Sequence, residues 1–473
     1  MSDDTLCDLT ASEASELFRK RTLSPVELMT AVIRRAEATE PAISAFTYTH
    51  FDAALEAARE AETRFMRGEA RGLGTLSGLP VAVKDSGEIA AMPNSMGSLA
   101  YKDHIAKRTS LANARVVEAG AIVHARTATP EFSCAVTCHS RLWGVTRNPH
   151  NTEYSPGGSS GGSGACLAAG SAILATGSDI AGSIRIPASC CGVVGYKPPH
   201  GRIPMDAPFN LDRYCHAGPM ARSVADTIML QNVMAGPHPA DCTSLSAATP
   251  ISEVGRGLKG FRIAASFDLG FYEVDPDVRA NMAQALDLFR DLGCQVEEVN
   301  LPWTTALEQA ALTHLTHIFG ASIAADMEGR EDMMTGYARA FAEGSRGTSA
   351  RDHLRGLEVE ARSGAEFGAL MESFDLLICP TTALPSVPAI FDHSTDQLTI
   401  NGTQVDPFLG WVMTPAFNIL SACPVLAVPS GRSRSNVPTG IQIVGKALQE
   451  QRVFDAGLAY EQACGGFRRV RTG

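Results

Sequence analysis

Two stretches of this chain consist almost wholly of turn-formers and hydroxyls. In Ser155-Pro-Gly-Gly-Ser-Ser-Gly-Gly-Ser-Gly164, six of ten residues are Gly or Pro and the other four are Ser. Glycine permits positive φ and close backbone approach, so hydroxyls in such a loop can be held at fixed positions. The second stretch, Gly177-Ser-Asp-Ile-Ala-Gly-Ser-Ile-Arg-Ile-Pro187, follows a strand-like run and puts Ser183 in another Gly-containing turn. A third piece is Lys84, at the end of the apolar run Val81-Ala-Val. A lysine desolvated at a strand terminus has a lowered pKa and can serve as a base.

Three chemistries compete for these residues. A phosphate-binding loop needs Gly-x-x-x-x-Gly-Lys-Ser/Thr, but no Lys follows the first stretch before Lys197. A nucleophile elbow fits Gly157-x-Ser159-x-Gly161 and Gly158-x-Ser160-x-Gly162. An elbow follows a hydrophobic strand, however, and the preceding 148–156 run is polar with two prolines. The third reading joins Lys84 to the serines as a base–nucleophile set.

The elements that must position these groups alternate. Strands are expected near Leu79–Val83, Ala121–Ala125, Ile173–Ala175 and Val193–Tyr196, with helices over Ser110–Ala119 and Ser160–Ala169. A further unit runs from the strand Phe261–Ala265 through a helix at Pro276–Leu292 to the strand Cys294–Val299. Asp375–Ile378, Val425–Val428 and Gly440–Val444 read as buried strands. Such alternation implies parallel pairing with helices on both faces. The expectation is one large α/β/α sandwich, its central sheet mixed but mostly parallel. A helical segment over 1–70 packs on the α/β domain 71–473, which carries a mainly helical insertion at about 306–372. Thr10-x-x-Glu13 and Ser24-Pro-Val-Glu27 both fit capping boxes, with Pro25 at the first helical position.

Composition excludes several classes. Among 473 residues the net charge is −11, and the C-terminal Arg468, Arg469 and Arg471 are too few to make a basic stripe. Direct nucleic-acid binding is therefore disfavoured. The apolar-looking run Ala165–Thr176 is too short and too broken to span a bilayer. The N-terminus is acidic and shows no signal-peptide core. The twelve scattered cysteines read as reduced, mostly buried thiols, so a cytoplasmic enzyme is expected. Cys134-x3-Cys138-His139 lacks a second ligand pair and reads as thiols, not a metal site. His314 and His317, at i and i+3 on a helix, read as packing or surface residues, with the mouth of a pocket as the alternative. Ser160 and Ser163 read as loop braces or helix caps.

The ordered set of motifs resembles the amidase signature family of serine hydrolases. It comprises Val-Lys84-Asp, Gly-Gly-Ser159-Ser-Gly-Gly and Gly-Ser-Asp-Ile-Ala-Gly-Ser183-Ile-Arg, with 24 residues from Ser159 to Ser183. Ala-Gly-Ala-Ile-Val-His-Ala-Arg-Thr-Ala-Thr-Pro-Glu131-Phe, Trp143-Gly-x-Thr-Arg-Asn-Pro and Cys-Gly-Val-Val-Gly-Tyr-Lys197-Pro fit as well. So do Pro415-Ala-Phe-Asn418 and Pro438-Thr-Gly-Ile-Gln-Ile-Val-Gly445, and the similarity spans roughly residues 10 to 460.

The resemblance implies Ser183 as nucleophile, Ser159 as a bridging serine after a cis peptide bond, and Lys84 as general base. It gives the oxyanion hole to the backbone N–H groups of Ile180, Ala181, Gly182 and Ser183, and bracing roles to Asp179 and Arg185. Ser133, Cys134 and Ser159 border the substrate pocket, and neither cofactor nor metal is implied. The implied activity is hydrolysis of a small-molecule carboxamide, anilide or carbamate, by a chain acting without nucleic acid or membrane. The helical N-terminus offers a homodimer interface. The alternative is the catalytic, transamidating component of a tRNA-dependent glutamine amidotransferase, its A subunit. Ile186 after Arg185, His200-Gly201, and Thr127-Ala-Thr-Pro depart from that subfamily. Departures from the wider family are Ala181-Gly182 in place of Gly-Gly, Ser86 in place of Asn, and Cys134 and Cys138 beside the pocket.

Overall fold

The structure is a computed structural model that describes residues 1–246 and 250–467; Arg468, Arg469 and Arg471 lie outside them. Its centre is an eleven-stranded sheet. In chain order the strands are β1 (Phe46–Thr49), β2 (Pro80–Lys84), β3 (Ile122–Thr127), β4 (Leu174–Asp179), β5 (Val194–Lys197) and β6 (His216–Ala221). They continue as β7 (Arg262–Ala265), β8 (Gln295–Glu298), β9 (Leu376–Pro380), β10 (Val425–Arg432) and β11 (Pro438–Gly445). Their spatial order is β1-β3-β2-β4-β6-β5-β10-β11-β9-β7-β8.

The sheet is mixed, as expected, but the expected predominance of parallel pairing is corrected. Only β2–β3, β2–β4, β7–β8 and β7–β9 pair in parallel. The remaining neighbours are antiparallel. The reason lies in the connections. A parallel pair needs a long crossover, whereas β10 and β11 are joined by a short turn and pair as a hairpin.

Period-2 alternation sends neighbouring side chains to opposite faces. Val81 and Val83 join an apolar cluster with Phe18, Leu28 and Val32 of the N-terminal helices, while Ala82 joins another with Ala165, Ile184 and Ala188. Leu376 and Ile378 pack toward Met282, Phe289 and Phe454; Leu377 and Cys379 pack toward Tyr337, Phe341 and Phe367 of the helical region. Helices thus cover both faces, which is the expected three-layer arrangement.

Both capping boxes form, at Thr10 with Glu13 and Ser24 with Glu27, and Pro25 opens its helix. The segment 1–70 is not helical throughout: it supplies β1, which pairs antiparallel with β3 at the sheet edge. The region 306–372 is mainly helical, as Thr305–His314, Leu315–Gly320, Ala321–Asp326, Gly336–Gly347 and Ala350–Met371.

Candidate active site

Lys84 is the last residue of β2, a central strand, so its side chain leaves the sheet at a carboxyl end beneath the glycine-rich loop. It is buried, and burial pulls its pKa down from 10.5 to about 7. Its Nζ donates to Ser159 Oγ at 2.7 Å and to Ser178 Oγ at 2.8 Å. Ser178 is a partner that sequence reasoning missed. It lies beside Asp179 inside a quoted motif, but nothing in the spacing singles it out.

The peptide bond Gly158–Ser159 is cis. The loop's glycines answer to close backbone approach. A Cβ on Gly158 would lie 2.2 Å from Thr137 O, and one on Gly162 would lie 2.4 Å from Ala128 N. Ser163 Oγ donates to Thr176 O at 3.0 Å and lies 2.7 Å from Thr127 Oγ1, tying the loop to β3 and β4. Ser160 N–H donates to Ser183 O at 3.1 Å, which joins the two serine stretches directly. Both hydroxyls act as braces, and neither caps the Gly161–Ala169 helix through its side chain. Ser183 and Ser159 are both buried. No hydrogen bond joins their hydroxyls among the described residues, so the Ser159–Ser183 leg is open here. Catalytic hydrogen bonds in unliganded sites often tighten only with substrate.

The turn before Ser183 is braced from below. Asp179 Oδ1 accepts from Gly182 N–H at 2.8 Å, from Arg185 Nη2 at 2.9 Å and from Asn418 Nδ2 at 2.8 Å. Its Oδ2 accepts from Arg185 Nε at 3.0 Å and Ile184 N–H at 3.3 Å. Burial alone would raise the Asp179 pKa, but the Arg185 charge and these donors hold it well below the usual carboxylate range. Arg185 also donates to Gln442 Oε1 at 2.7 Å, Asn418 Oδ1 at 2.6 Å and Thr414 O at 3.0 Å. Asn418 and Gln442 lay within matching stretches near the end of the chain, but sequence reasoning gave them no role.

This bracing changes the expected oxyanion set. Gly182 N–H is spent on Asp179, which removes it from the four donors. The amides of Ile180, Ala181 and Ser183 have no acceptor among the described residues. Gly182 takes φ +122°, and a Cβ there would lie 2.0 Å from Thr414 Oγ1. Ala181 is absent from the positive-φ residues, so its methyl is accommodated where the family has glycine.

Ser133 and Cys134 sit further along the segment that packs on the loop. Ser133 is half-buried with φ +60°, its Oγ 3.0 Å from Thr129 Oγ1. Cys134 is buried and donates to Glu131 O at 3.2 Å, and burial pushes its thiol pKa well up. Cys134 shares one apolar cluster with Phe132, Ala181, Ile186, Tyr214 and Trp411. His314 is buried against Asp212, its Nε2 2.8 Å from Asp212 Oδ1, a packing role. Among the described residues no group of His, Cys, Asp and Glu is arranged to hold a metal.

A family model described as "Amidase" matches residues 27–454. The chain is 33% identical to the A subunit of the glutamyl-tRNA(Gln) amidotransferase from Synechococcus sp. (strain CC9605), covering 96% of each. Among solved structures it resembles a bacterial aryl acylamidase of the amidase signature enzymes, with TM-score 0.90, 27% identity and 96% of each chain covered. The native peptide amidase of Stenotrophomonas maltophilia matches with TM-score 0.82 and 25% identity, covering 98% of each chain. The motif order, the buried lysine beside two serine turns, and these matches along nearly the whole length agree: the chain belongs to the amidase family, the amidase signature enzymes.

Proposed function

We propose that this amidase hydrolyses the C–N bond of a small-molecule carboxamide, anilide or carbamate through an acyl-enzyme on Ser183. The observation that carries the reading is the buried Lys84 amine, 2.7 Å from the Ser159 hydroxyl, with the Ser183 turn bonded to the next residue of that loop. A serine hydroxyl is a weak nucleophile and must lose its proton as it attacks. Neutral Lys84 takes a proton from Ser159, which takes one from Ser183. Ser183 Oγ attacks the carbonyl carbon, and the oxyanion is received by the N–H groups of Ile180, Ala181 and Ser183. The relay then runs backward to protonate the leaving nitrogen, because an amide anion is a poor leaving group. Water resolves the acyl-enzyme by the same path. Ser133 and Cys134 border the acyl group in this reading, supported by the apolar cluster that Cys134 and Ala181 share.

All three reacting groups come from one chain, so the reading needs no partner. No helix among the described residues is long and apolar enough to cross a membrane. The proposal sets the reaction in the cytoplasm, supported by twelve cysteines that are all free thiols. The test is a panel of aliphatic amides, anilides, carbamates and esters scored by kcat/KM. Hydrolysis of at least one class, abolished in Ser183→Ala and Lys84→Ala, is the expected outcome. Near-wild-type kcat in Lys84→Ala at neutral pH would remove the relay.

A second reading is the transamidating component of a glutamyl-tRNA(Gln) amidotransferase, favoured by 33% identity to such a protein over 490 aligned residues. Under it, activity would appear only with a glutamine donor, partner subunits and tRNA.

A further inference from the structure

We infer that Tyr214 is a positioning residue through which the helical region 305–371 holds the oxyanion turn in place. The inference rests on the proposed role of Ser183. Tyr214 sits where the chain enters β6, and its side chain is fully buried. Its backbone faces the site. Tyr214 O accepts from Asn418 Nδ2 at 3.1 Å, and the same amide nitrogen donates to Asp179 Oδ1 at 2.8 Å. Asp179 Oδ1 in turn accepts the Gly182 N–H. Two shared atoms, Asn418 Nδ2 and Asp179 Oδ1, therefore separate Tyr214 from the turn that aims the donors at the reacting carbonyl.

Its side chain faces the other way. Tyr214 Oη donates to Glu360 Oε1 at 2.6 Å, from the long helix Ala350–Met371. Glu360 is 3% exposed, and its other oxygen is paired with Arg213. The Tyr214 ring stacks on His314, 3.8 Å between centroids and 12° between planes, from the helix Thr305–His314. His314 Nε2 reaches Asp212 Oδ1 at 2.8 Å, and that oxygen also accepts Tyr214 N–H at 2.9 Å. Two helices thus grip three consecutive residues, 212–214, whose backbone is bonded to the brace of the turn.

A buried phenol and carboxylate are costly to hold unless paired, so this contact fixes the register of the helices on the segment. Small displacements of pre-aimed donors are expensive in the transition state and cheap in the ground state. Loosening the Tyr214–Glu360 bond should therefore slow attack by Ser183 while sparing ground-state binding.

Tyr214→Phe keeps the ring stack and removes only the hydroxyl; Glu360→Met removes the acceptor and keeps a side chain of similar size. Each variant and the wild type would be treated with a fluorophosphonate, whose phosphoryl oxygen occupies the oxyanion position once Ser183 is labelled. The expected result is that kinact falls about tenfold in each variant with KI within about twofold, a partial loss beside the 10²–10³ for deleting a donor outright. The double variant should be no slower than the slower single, because both act through one bond. An unchanged kinact, a rise in KI alone, or multiplicative losses in the double variant would overturn the inference while labelled wild type leaves the Ser183 reading standing. Wild type unlabelled at Ser183 would overturn both.

Discussion

Lys84 has two hydroxyl partners, and the second decides how it can act as a base. A neutral amine has one lone pair and two N–H bonds. If the lone pair receives the Ser159 proton, the N–H bonds need acceptors in a buried place. Ser178 Oγ, 2.8 Å away, supplies one. It also favours the ammonium, because an acceptor hydroxyl bonds a charged donor more strongly. Burial pulls the lysine pKa to about 7, so kcat/KM should rise with pH through that region and level off above it, where Lys84 is neutral in the free enzyme. In Ser178→Ala the ammonium loses a partner, and the rising limb should move to lower pH while kcat drops about tenfold, an unpaired buried N–H costing about 1–3 kcal/mol. Substitution by Thr should restore both. A limb that stays put with kcat within twofold of wild type would show that Ser178 has no such part.

At the scale of the turn between β4 and the Arg185–Cys191 helix, the two neighbouring small residues are not equivalent. Gly182 sits at φ +122° with Thr414 Oγ1 where its Cβ would go, whereas Ala181 already carries a methyl. Gly182→Ala should cost about 1–3 kcal/mol in backbone strain and more from the clash, and displace the donors enough to lose activity about 10²-fold. Ala181→Gly should change kcat less than about threefold and cost up to about 1 kcal/mol through the unfolded chain. Urea titration with steady-state kinetics separates the cases, and equal effects at the two positions would contradict this account. The same turn shows what the sequence could and could not convey. Lys84, Ser159, Ser183, Asp179 and Arg185 were legible because each falls in a dense local pattern. That Gly182 N–H is spent on Asp179, leaving three amides, was not, because hydrogen-bond direction depends on backbone angles that composition does not specify. Asn418 and Gln442 come from more than 230 residues beyond the turn they brace. Among the elements, periodic strands and capped helices were legible near their observed ends. β6 was not, since Gly218 and Pro219 make an interior strand read as a turn. The Val224–Met234 helix is buried nearly all round, so it lacks the polar face that reveals a helix.

For the whole molecule, the low charge density has a consequence for how stability varies with pH. Two lysines, Lys84 and Lys197, are fully enclosed, and burial pulls both pKa values down from 10.5 to about 7. Lys197 donates to Cys423 O at 2.9 Å and Pro198 O at 3.1 Å, with no carboxylate contact among the described residues. Well below pH 7 both ammonium groups are charged in folded and unfolded chains, and the burial penalty is complete. As pH rises through 7 the folded protein gives up these protons while the unfolded chain keeps them, so stability increases with pH. Other shifted groups contribute over the same range. Glu40, Glu308 and Glu461, raised by burial to about 7, oppose the lysines, because the folded protein still holds part of their protons there while the unfolded chain has none. His124, His150 and His393, pulled by burial to about 4, are already neutral. Buried thiols such as Cys190, pushed up to about 12, also oppose the trend, increasingly as unfolded thiols ionise toward pH 8.5. Between pH 7 and 8 the two lysines by themselves should add about 2 kcal/mol of stability, which substitution at each lysine isolates from the opposing groups. For a chain this long that is about 2 °C in Tm. Scanning calorimetry at pH 7.0, 7.5 and 8.0 on the wild type, Lys84→Met and Lys197→Met measures it. Each variant should be more stable than wild type at pH 7, and that gap should narrow by about 1 kcal/mol, about 1 °C in Tm, by pH 8. A gap between wild type and both variants that stays constant from pH 7 to 8 would show that the lysines are not held neutral by the fold, and the base proposed for the reaction would lose its physical ground.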